Sequence, residues 1–456
     1  MDVFERYLLR ALEILGGVNV LDKTDYEKWI ENCIYIDSKK ASFTLEDIRA
    51  YQFRKIIETL DYVKENSAFY RKKLKGINPY RILDLDDFAM KIPFTLPGEL
   101  SSRPEDFLCV AQHEISRIVT LKSSGTLGDS KRIFFTEEDL ERTIDFFHNG
   151  MKYLVSKGDR VLILMPGDYY GSIGNLLKKG LERLSCHGII LGPIKNNSKV
   201  LDILNQEGIN CIVGIPVQIY QLARFKISKY GYKKTRLKAV LMSADYVPKS
   251  MVKVVEKAFG CKVFTHYGMT EMGFGGGVEC KCLSGYHLRE GDIYFEIVDP
   301  ISGKLLPWGA EGEIVFTTFT REGMPFIRYK TGDRGRFKTY PCKCSSILPQ
   351  MDYVKGRISE EITIGNMNIS IGLLDEALFT IENLLDYRVR FKKPNIFKIW
   401  GKSMDYKIPV NQWDIFNAFK GTILEKFIIE GKLVMEYCGE LEDVEISTGM
   451  LKRKFL

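Results

Sequence analysis

The sequence predicts an α/β protein. It has a large N-terminal domain of helix-covered, mainly parallel sheets with a small antiparallel β subdomain, and then a small α+β C-terminal domain. Three observations predict this. Between about residues 120 and 270, short apolar runs alternate with helical patterns, about 20–30 residues apart, the signature of βαβ units. After residue 290 the texture changes to alternating strands split by turns. Beyond Gly356 strands and helices mix again over a stretch of domain size, placing the boundary between residues 1–355 and 356–456.

Residues 1–120 read as mainly helical, with a polar periodic stretch from Thr44 to Asn66 and a loop at Ile92-Pro93-Phe94. Met1 to Gly17 carries Asp2, Glu5 and Glu13, so it reads as an amphipathic helix and not a signal peptide. The apolar runs Arg160–Met165, Gly188–Leu191, Cys211–Gly214, Lys238–Met242 and Lys262–Thr265 are the expected parallel strands, with Met251–Phe259 among the helices between them. Ile293–Val298, Glu313–Phe319 and Pro325–Lys330 are expected strands, divided by Asp-Pro-x-x-Gly and Arg-Glu-Gly turns. In the last domain, strands are expected at Glu361–Ile364, Tyr387–Phe391 and Lys398–Trp400, and helices at Leu373–Leu384 and Trp413–Phe427.

Composition excludes several classes. The 456 residues are 45% hydrophobic and 27% charged, which argues against bulk disorder or a coiled coil. A net charge of +7 over this length is no sign of nucleic-acid binding. No apolar run approaches a membrane span. Ten cysteines without a secretion signal point to a reducing, cytoplasmic setting. A cytosolic enzyme or a large binding protein fits these bounds.

The densest chemistry is Lys122-Ser123-Ser124-Gly125-Thr126-Leu127-Gly128-Asp129-Ser130-Lys131, followed by an expected strand over Arg132–Thr136. Hydroxyls and glycines packed this closely let backbone N–H and side-chain O–H groups surround phosphate oxygens, with Lys131 to neutralise charge. No Gly-Lys-Ser/Thr ends the loop, so it is not a Walker A motif. Three further motifs follow in order: His266-Tyr267-Gly268-Met269-Thr270-Glu271, Tyr329-Lys330-Thr331-Gly332-Asp333 and Lys355-Gly356-Arg357. The ordered set resembles the adenylate-forming superfamily, and most of all the phenylacetate–CoA ligases. Ser243-Ala244-Asp245, Glu279-Cys280, Gly285-Tyr286-His287, Glu296–Pro300 and Glu311–Thr317 extend the resemblance over nearly the whole chain.

The resemblance implies the following roles. Ser123, Ser124, Gly125, Thr126, Gly128 and Lys131 would grip the β- and γ-phosphates of ATP. Ala244, Asp245, Tyr267 and Gly268 would line the adenine slot, with Tyr267 stacking. Thr270 would lie near the α-phosphate, and Glu271 would hold magnesium through a hard oxygen. Asp333 would accept from the ribose hydroxyls. Arg357 would pair with phosphate from the start of a mobile C-terminal lid. A small-molecule carboxylic acid would attack the α-phosphorus, leaving an acyl-adenylate and pyrophosphate, and the thiol of coenzyme A would then take the acyl group. A homodimer stays open.

Cys280, His287, Cys342 and Cys344 form a second signal. Three thiolates and an imidazole make a tetrahedral structural zinc site, and several phenylacetate–CoA ligase-like proteins resemble this pattern. Cys282 is an alternative to Cys280.

The chain departs from the family pattern at three places. Asp129 stands where lysine is common, and Ser359 stands at the usual aspartate of the hinge. Aligned on Gly449 and Arg453, the lysine expected in the C-terminal Ser/Thr-Gly-Lys-x-x-Arg motif has become Met450, leaving Lys452 or Lys454 to substitute. Ser359 admits an amide-forming or acyl-protein ligase that uses an amine or protein thiol. Met450 and Asp129 admit a non-catalytic nucleotide- or acyl-binding homologue. The basic run Arg224 to Lys238 reads as a solvated face or as a site for the phosphates of coenzyme A. Phe146, Phe147, Tyr169, Tyr170, Tyr220 and Phe274 suit an aryl or apolar acid, or a core.

Overall fold

The computed structural model describes residues 23–35, 43–121, 130–365, 367–441 and 453–456. The expected N-terminal amphipathic helix, Ser123 to Gly128 of the phosphate loop, Met450 and Lys452 all lie outside them.

The strands in chain order are β1 (Arg117–Leu121), β2 (Lys131–Phe135), β3 (Arg160–Leu164), β4 (His187–Ile190), β5 (Cys211–Gly214), β6 (Ala239–Met242) and β7 (Lys262–Tyr267). Next come β8 (Gly277–Glu279), β9 (Tyr286–Leu288), β10 (Ile293–Val298), β11 (Gly312–Thr318), β12 (Tyr329–Gly335) and β13 (Gln350–Met351). The last are β14 (Ile362–Ile364), β15 (Met367–Ile369), β16 (Leu384–Lys392), β17 (Ile396–Ser403) and β18 (Val434–Glu440).

The chain divides into two compact units. The first holds Met1–Tyr153, Tyr169–Leu184 and His266–Val354. Its long helix Leu45–Asn66 starts where Thr44 accepts from the Asp47 N–H and Asp47 accepts from Thr44 in return, a capping box worth about 1 kcal/mol. Helix Glu137–Met151 starts the same way at Thr136, with three acids in its first turn against the positive helix end. β1 and β2 pair antiparallel with Leu121 opposite Lys131, which closes the base of the Ser/Gly-rich loop. β10, β11 and β12 form a three-stranded antiparallel sheet, the expected β subdomain. The end of β7 continues antiparallel through β8 and β9 to β13.

The second unit holds Leu154–Asp168, Ser185–Thr265 and Lys355–Leu456. Here β3 is flanked by β4 and β5, and the sheet continues through β6 to β7, all parallel. Val161 to Leu164, Cys211 to Gly214 and Ala239 to Met242 are buried throughout, the continuous apolar pattern of strands covered on both faces. β16, β17 and β18 make a mixed sheet whose core takes in Leu374, Phe379, Ile399 and Ile415, together with Tyr220 and Met251. The Tyr220 hydroxyl donates to the Leu384 carbonyl at 2.8 Å, and the Glu376 carboxylate accepts from the Lys249 N–H at 3.0 Å. Tyr220 is therefore core.

Three sequence expectations are corrected. The strand expected at Pro325–Lys330 begins at Tyr329, because Arg328 takes a positive φ of 45° and turns its guanidinium onto Glu296 at 2.9 Å. The helix expected over Leu373–Leu384 runs Ile371–Leu378, and Leu384 opens β16. The helix expected over Trp413–Phe427 is two helices, Gln412–Ala418 and Glu425–Ile429, separated by Gly421 with φ 74°.

Candidate functional site

β7 delivers Tyr267 and then the short turn Thr270–Met272, so the motif His266 to Glu271 straddles a strand end. Gly268 is required here. A Cβ on it would lie 2.5 Å from the Phe274 carbonyl oxygen. Thr270 and Glu271 are buried in the turn.

Glu271 meets two other motifs. Its Oε1 accepts from Lys131 Nζ at 3.1 Å and from the Tyr329 hydroxyl at 3.1 Å, while Lys131 Nζ also donates to the Tyr329 oxygen at 2.9 Å. Burial raises the Glu271 carboxyl, but the Lys131 charge and the hydrogen bonds outweigh it, and the group ends below its ordinary value. A buried, ionised carboxylate beside a lysine that follows a Ser/Gly loop can hold a divalent cation next to a polyphosphate.

Tyr267 and Asp333 form a second pair. The Tyr267 hydroxyl donates to Asp333 Oδ2 at 3.1 Å, and both residues are buried. Thr331 fixes the aspartate: its hydroxyl donates to the Ile314 carbonyl at 2.8 Å and accepts the Asp333 N–H at 2.9 Å. Burial pushes the neighbouring His266 imidazole down to about 4.

Ala244, Asp245 and Arg357 belong to the second unit. Ala244 has φ 83°, a conformation a non-glycine residue adopts at a cost and one that gathers at ligand sites. Asp245 Oδ2 accepts the Arg453 N–H at 2.9 Å. The Arg453 guanidinium is buried against Asp375 at 2.9 Å and against Asp386, stacked 4.4 Å from the Tyr387 ring. The arginine of the C-terminal motif is thus the anchor of the tail. Arg224 and Lys226 of the basic run are also structural. Arg224 donates to Tyr220 and to the Ile381 carbonyl, and Lys226 to the carbonyls of Gly231 and Lys233.

Cys280, His287, Cys342 and Cys344 converge in the first unit, with ligand atoms all within 4.8 Å of one another. Cys280 Sγ lies 3.6 Å from Cys342 Sγ, and Cys344 Sγ lies 3.3 Å from His287 Nε2. Thiolates on one tetrahedral zinc stand about 3.8 Å apart, so the four residues fit that ion. Hydrogen bonds from Cys280 and then Cys344 hold the Cys342 thiol far below its ordinary value. Cys282 stays outside the group, and its N–H donates to Cys280 Sγ at 3.4 Å.

In the sequence Tyr329 opens the Tyr-Lys-Thr-Gly-Asp motif without a role of its own, and Arg321 reads only as part of a turn.

The model of the AMP-binding enzyme family matches residues 121–319. Residues 121–319 are thus similar to the AMP-binding enzymes. A phenylacetate–coenzyme A ligase of Thermus thermophilus is 29% identical over 358 residues, covering 75% of this chain and 77% of that protein. One from Aromatoleum evansii is 28% identical over 341 residues, covering 73% and 76%. Among solved structures, a 2-hydroxyisobutyryl-CoA ligase in its postadenylation state matches with a TM-score of 0.74 at 20% identity, covering 91% of this chain and 90% of that one. An anthranilate CoA ligase matches with a TM-score of 0.53 at 16% identity, over 75% and 68%. The chain shares the mixed α/β fold of these solved CoA ligases. Among the described residues no helix is long and apolar enough to cross a membrane.

Proposed function

We infer that this chain is an acid–thiol ligase that activates a carboxylic acid with ATP as an acyl-adenylate and passes it to coenzyme A. The meeting of Lys131, Glu271 and Tyr329 carries this reading. Both half-reactions need little covalent chemistry from the protein. The first needs cations around the charge that moves from the acid to the α-phosphate and the leaving pyrophosphate. Lys131 is one such cation, and the Glu271 carboxylate would hold a second as magnesium, which supplies charge neutralisation when bound. Ser123 to Gly128 are proposed for the triphosphate, Tyr267 and Gly268 for the base and Asp333 for the ribose; Ala244 and Asp245, in the second unit, are proposed for the base by the same resemblance. Residues 1–355 would form the adenylation domain and 356–456 its lid, with Arg357 at the hinge side.

The relatives named as phenylacetate–coenzyme A ligases support an aryl or apolar acid as substrate. Zinc would be structural, held by Cys280, His287, Cys342 and Cys344 to tie β9 to the loop before β13. A cytoplasmic enzyme fits ten free cysteines. A homodimer belongs to the same proposal, with light scattering as its check.

Acid-dependent exchange of labelled pyrophosphate into ATP tests the reading. Exchange with an aryl acid, together with AMP release that needs coenzyme A, supports it. Exchange without that dependence points to an amine or protein-thiol acceptor, and no exchange with any acid leaves a binding homologue.

A further inference from the structure

Arg321 sits in the loop after β11, with its side chain only 6% exposed. Its two terminal nitrogens reach two backbone carbonyls. Nη1 donates to Glu271 at 2.7 Å, and Nη2 donates to Phe134 at 2.9 Å. Those acceptors lie on the two segments whose side chains meet at the site. Phe134 is on β2, which starts at Lys131, and Glu271 is the carboxylate that Lys131 touches. A planar guanidinium with two donors fixes the distance between its acceptors in a way that a single point charge does not.

The guanidinium is held in turn. It lies 4.4 Å from the Phe135 ring and 5.5 Å from the Phe326 ring. Its Nε faces Asp139 Oδ2 at 3.9 Å. The same carboxylate accepts the N–H groups of Thr136, Glu322 and Gly323, at 3.1, 2.9 and 3.1 Å. Asp139 therefore secures both the residues that follow Arg321 and the end of β2.

On the ligase reading above, we propose that Arg321 is a positioning residue for adenylation: by clamping the Phe134 and Glu271 carbonyls it sets the register that brings the Lys131 ammonium opposite the Glu271 carboxylate. It acts through those two groups and needs no contact with nucleotide. Misplacing a charged pair by about 1 Å costs on the order of 10²-fold in rate. Thioester formation from a finished adenylate makes no such demand on the pair.

Arg321→Lys and Arg321→Met in the full chain test this, with the wild type alongside. Folding is checked by circular dichroism and melting temperature. The expected result for folded Arg321→Lys is at least a roughly tenfold slower acid-dependent pyrophosphate exchange and a higher magnesium concentration for half-maximal rate. Arg321→Met should lose more. Thioester formation from supplied acyl-adenylate should stay within about twofold. A variant that melts lower but keeps its exchange rate and magnesium dependence would overturn the proposal, since a merely structural arginine predicts that. If the wild type exchanges with no acid, the ligase reading falls, and the clamp is read from ATP binding by calorimetry. Magnesium should then tighten ATP less in Arg321→Lys than in wild type, and an equal tightening overturns it.

Discussion

Lys131 and Glu271, 140 positions apart in the chain, meet with ammonium and carboxylate 3.1 Å apart, beside the Tyr329 hydroxyl. The lysine opens β2 directly after the Ser/Gly-rich loop, and the glutamate lies in the turn after β7. The carboxylate is buried, and its charge is sustained by that ammonium. A cation is therefore built into the place where the proposed reaction needs cations, and on that proposal Glu271 would hold a divalent ion while Lys131 would serve phosphate.

Glu271→Gln should keep the fold, because Lys131 is partly exposed and can hydrate when it loses its partner. Magnesium-dependent turnover should fall by about 10²-fold, the scale of one electrostatic group in a preorganised site. Turnover measured against magnesium at saturating ATP checks this. An equal fractional loss at every magnesium concentration would remove Glu271 as the magnesium ligand.

Asp333→Ala should raise the apparent constant for ATP by about 10-fold or more, the scale of hydrogen bonds to a charged group. Tyr267→Phe deletes the 3.1 Å bond to Asp333 but keeps the ring, so its effect should be smaller. Unchanged nucleotide affinity in Asp333→Ala would show that the ribose lies elsewhere.

Legibility from the sequence followed the kind of signal. The parallel strands were readable because full burial leaves continuous apolar runs such as Val161 to Leu164. β2 is expected from the sequence, but its partner β1 is not, because Ile118 is exposed and no residue of β1 is fully buried. The family resemblance singles out Glu271 and Asp333, which the structure places against Lys131 and Tyr267, whereas nothing in it singles out Arg321. Its partners are backbone carbonyls, and a carbonyl carries no letter in the sequence. For the same reason the early end of helix Ile371–Leu378 was missed: the Tyr220 side chain takes the Leu384 carbonyl where β16 begins.

Purified protein should carry about one zinc per chain. Cys344→Ser should lower both metal content and melting temperature, while Cys282→Ser should leave both near wild type, since Cys282 stays outside the cluster. Atomic absorption and thermal unfolding measure the pair of effects. Metal-free protein of unchanged stability would exclude the site.

His266 gives a pH test. Burial holds its imidazole at about 4, below the 6.5 of an unstrained histidine, so between those values the unfolded chain binds the extra proton. Stability from this group is complete above pH 6.5 and is lost as pH falls toward 4. The upper limit is about 3 kcal/mol, less what partial exposure screens. His266→Gln should melt closer to wild type at pH 5 than at pH 8. A difference that does not change with pH would show that His266 does not titrate out of line.

The tail gives the sharpest test of the activity. Arg453 is tied to Asp245 through its N–H and to Asp375 and Asp386 through its guanidinium, so the C-terminal motif keeps its arginine as an anchor. The motif's lysine position holds Met450, which lies outside the described residues, as does Lys452. Adenylation builds negative charge at the α-phosphate and the leaving pyrophosphate, and a cation there acts on the transition state rather than on bound substrate. Thioester formation from a finished adenylate needs no such cation. If Met450 leaves the role empty, Met450→Lys should speed adenylation by about 10-fold or more, with the second half-reaction from synthetic adenylate nearly unchanged. If Lys452 has taken over, Lys452→Ala should cripple adenylation, and adding a lysine at 450 should change little. Pyrophosphate exchange and single-turnover thioester formation, run on both variants, separate these cases. A wild type that adenylates no acid, and gains nothing from lysine at 450, would leave a binding homologue as the reading of this chain.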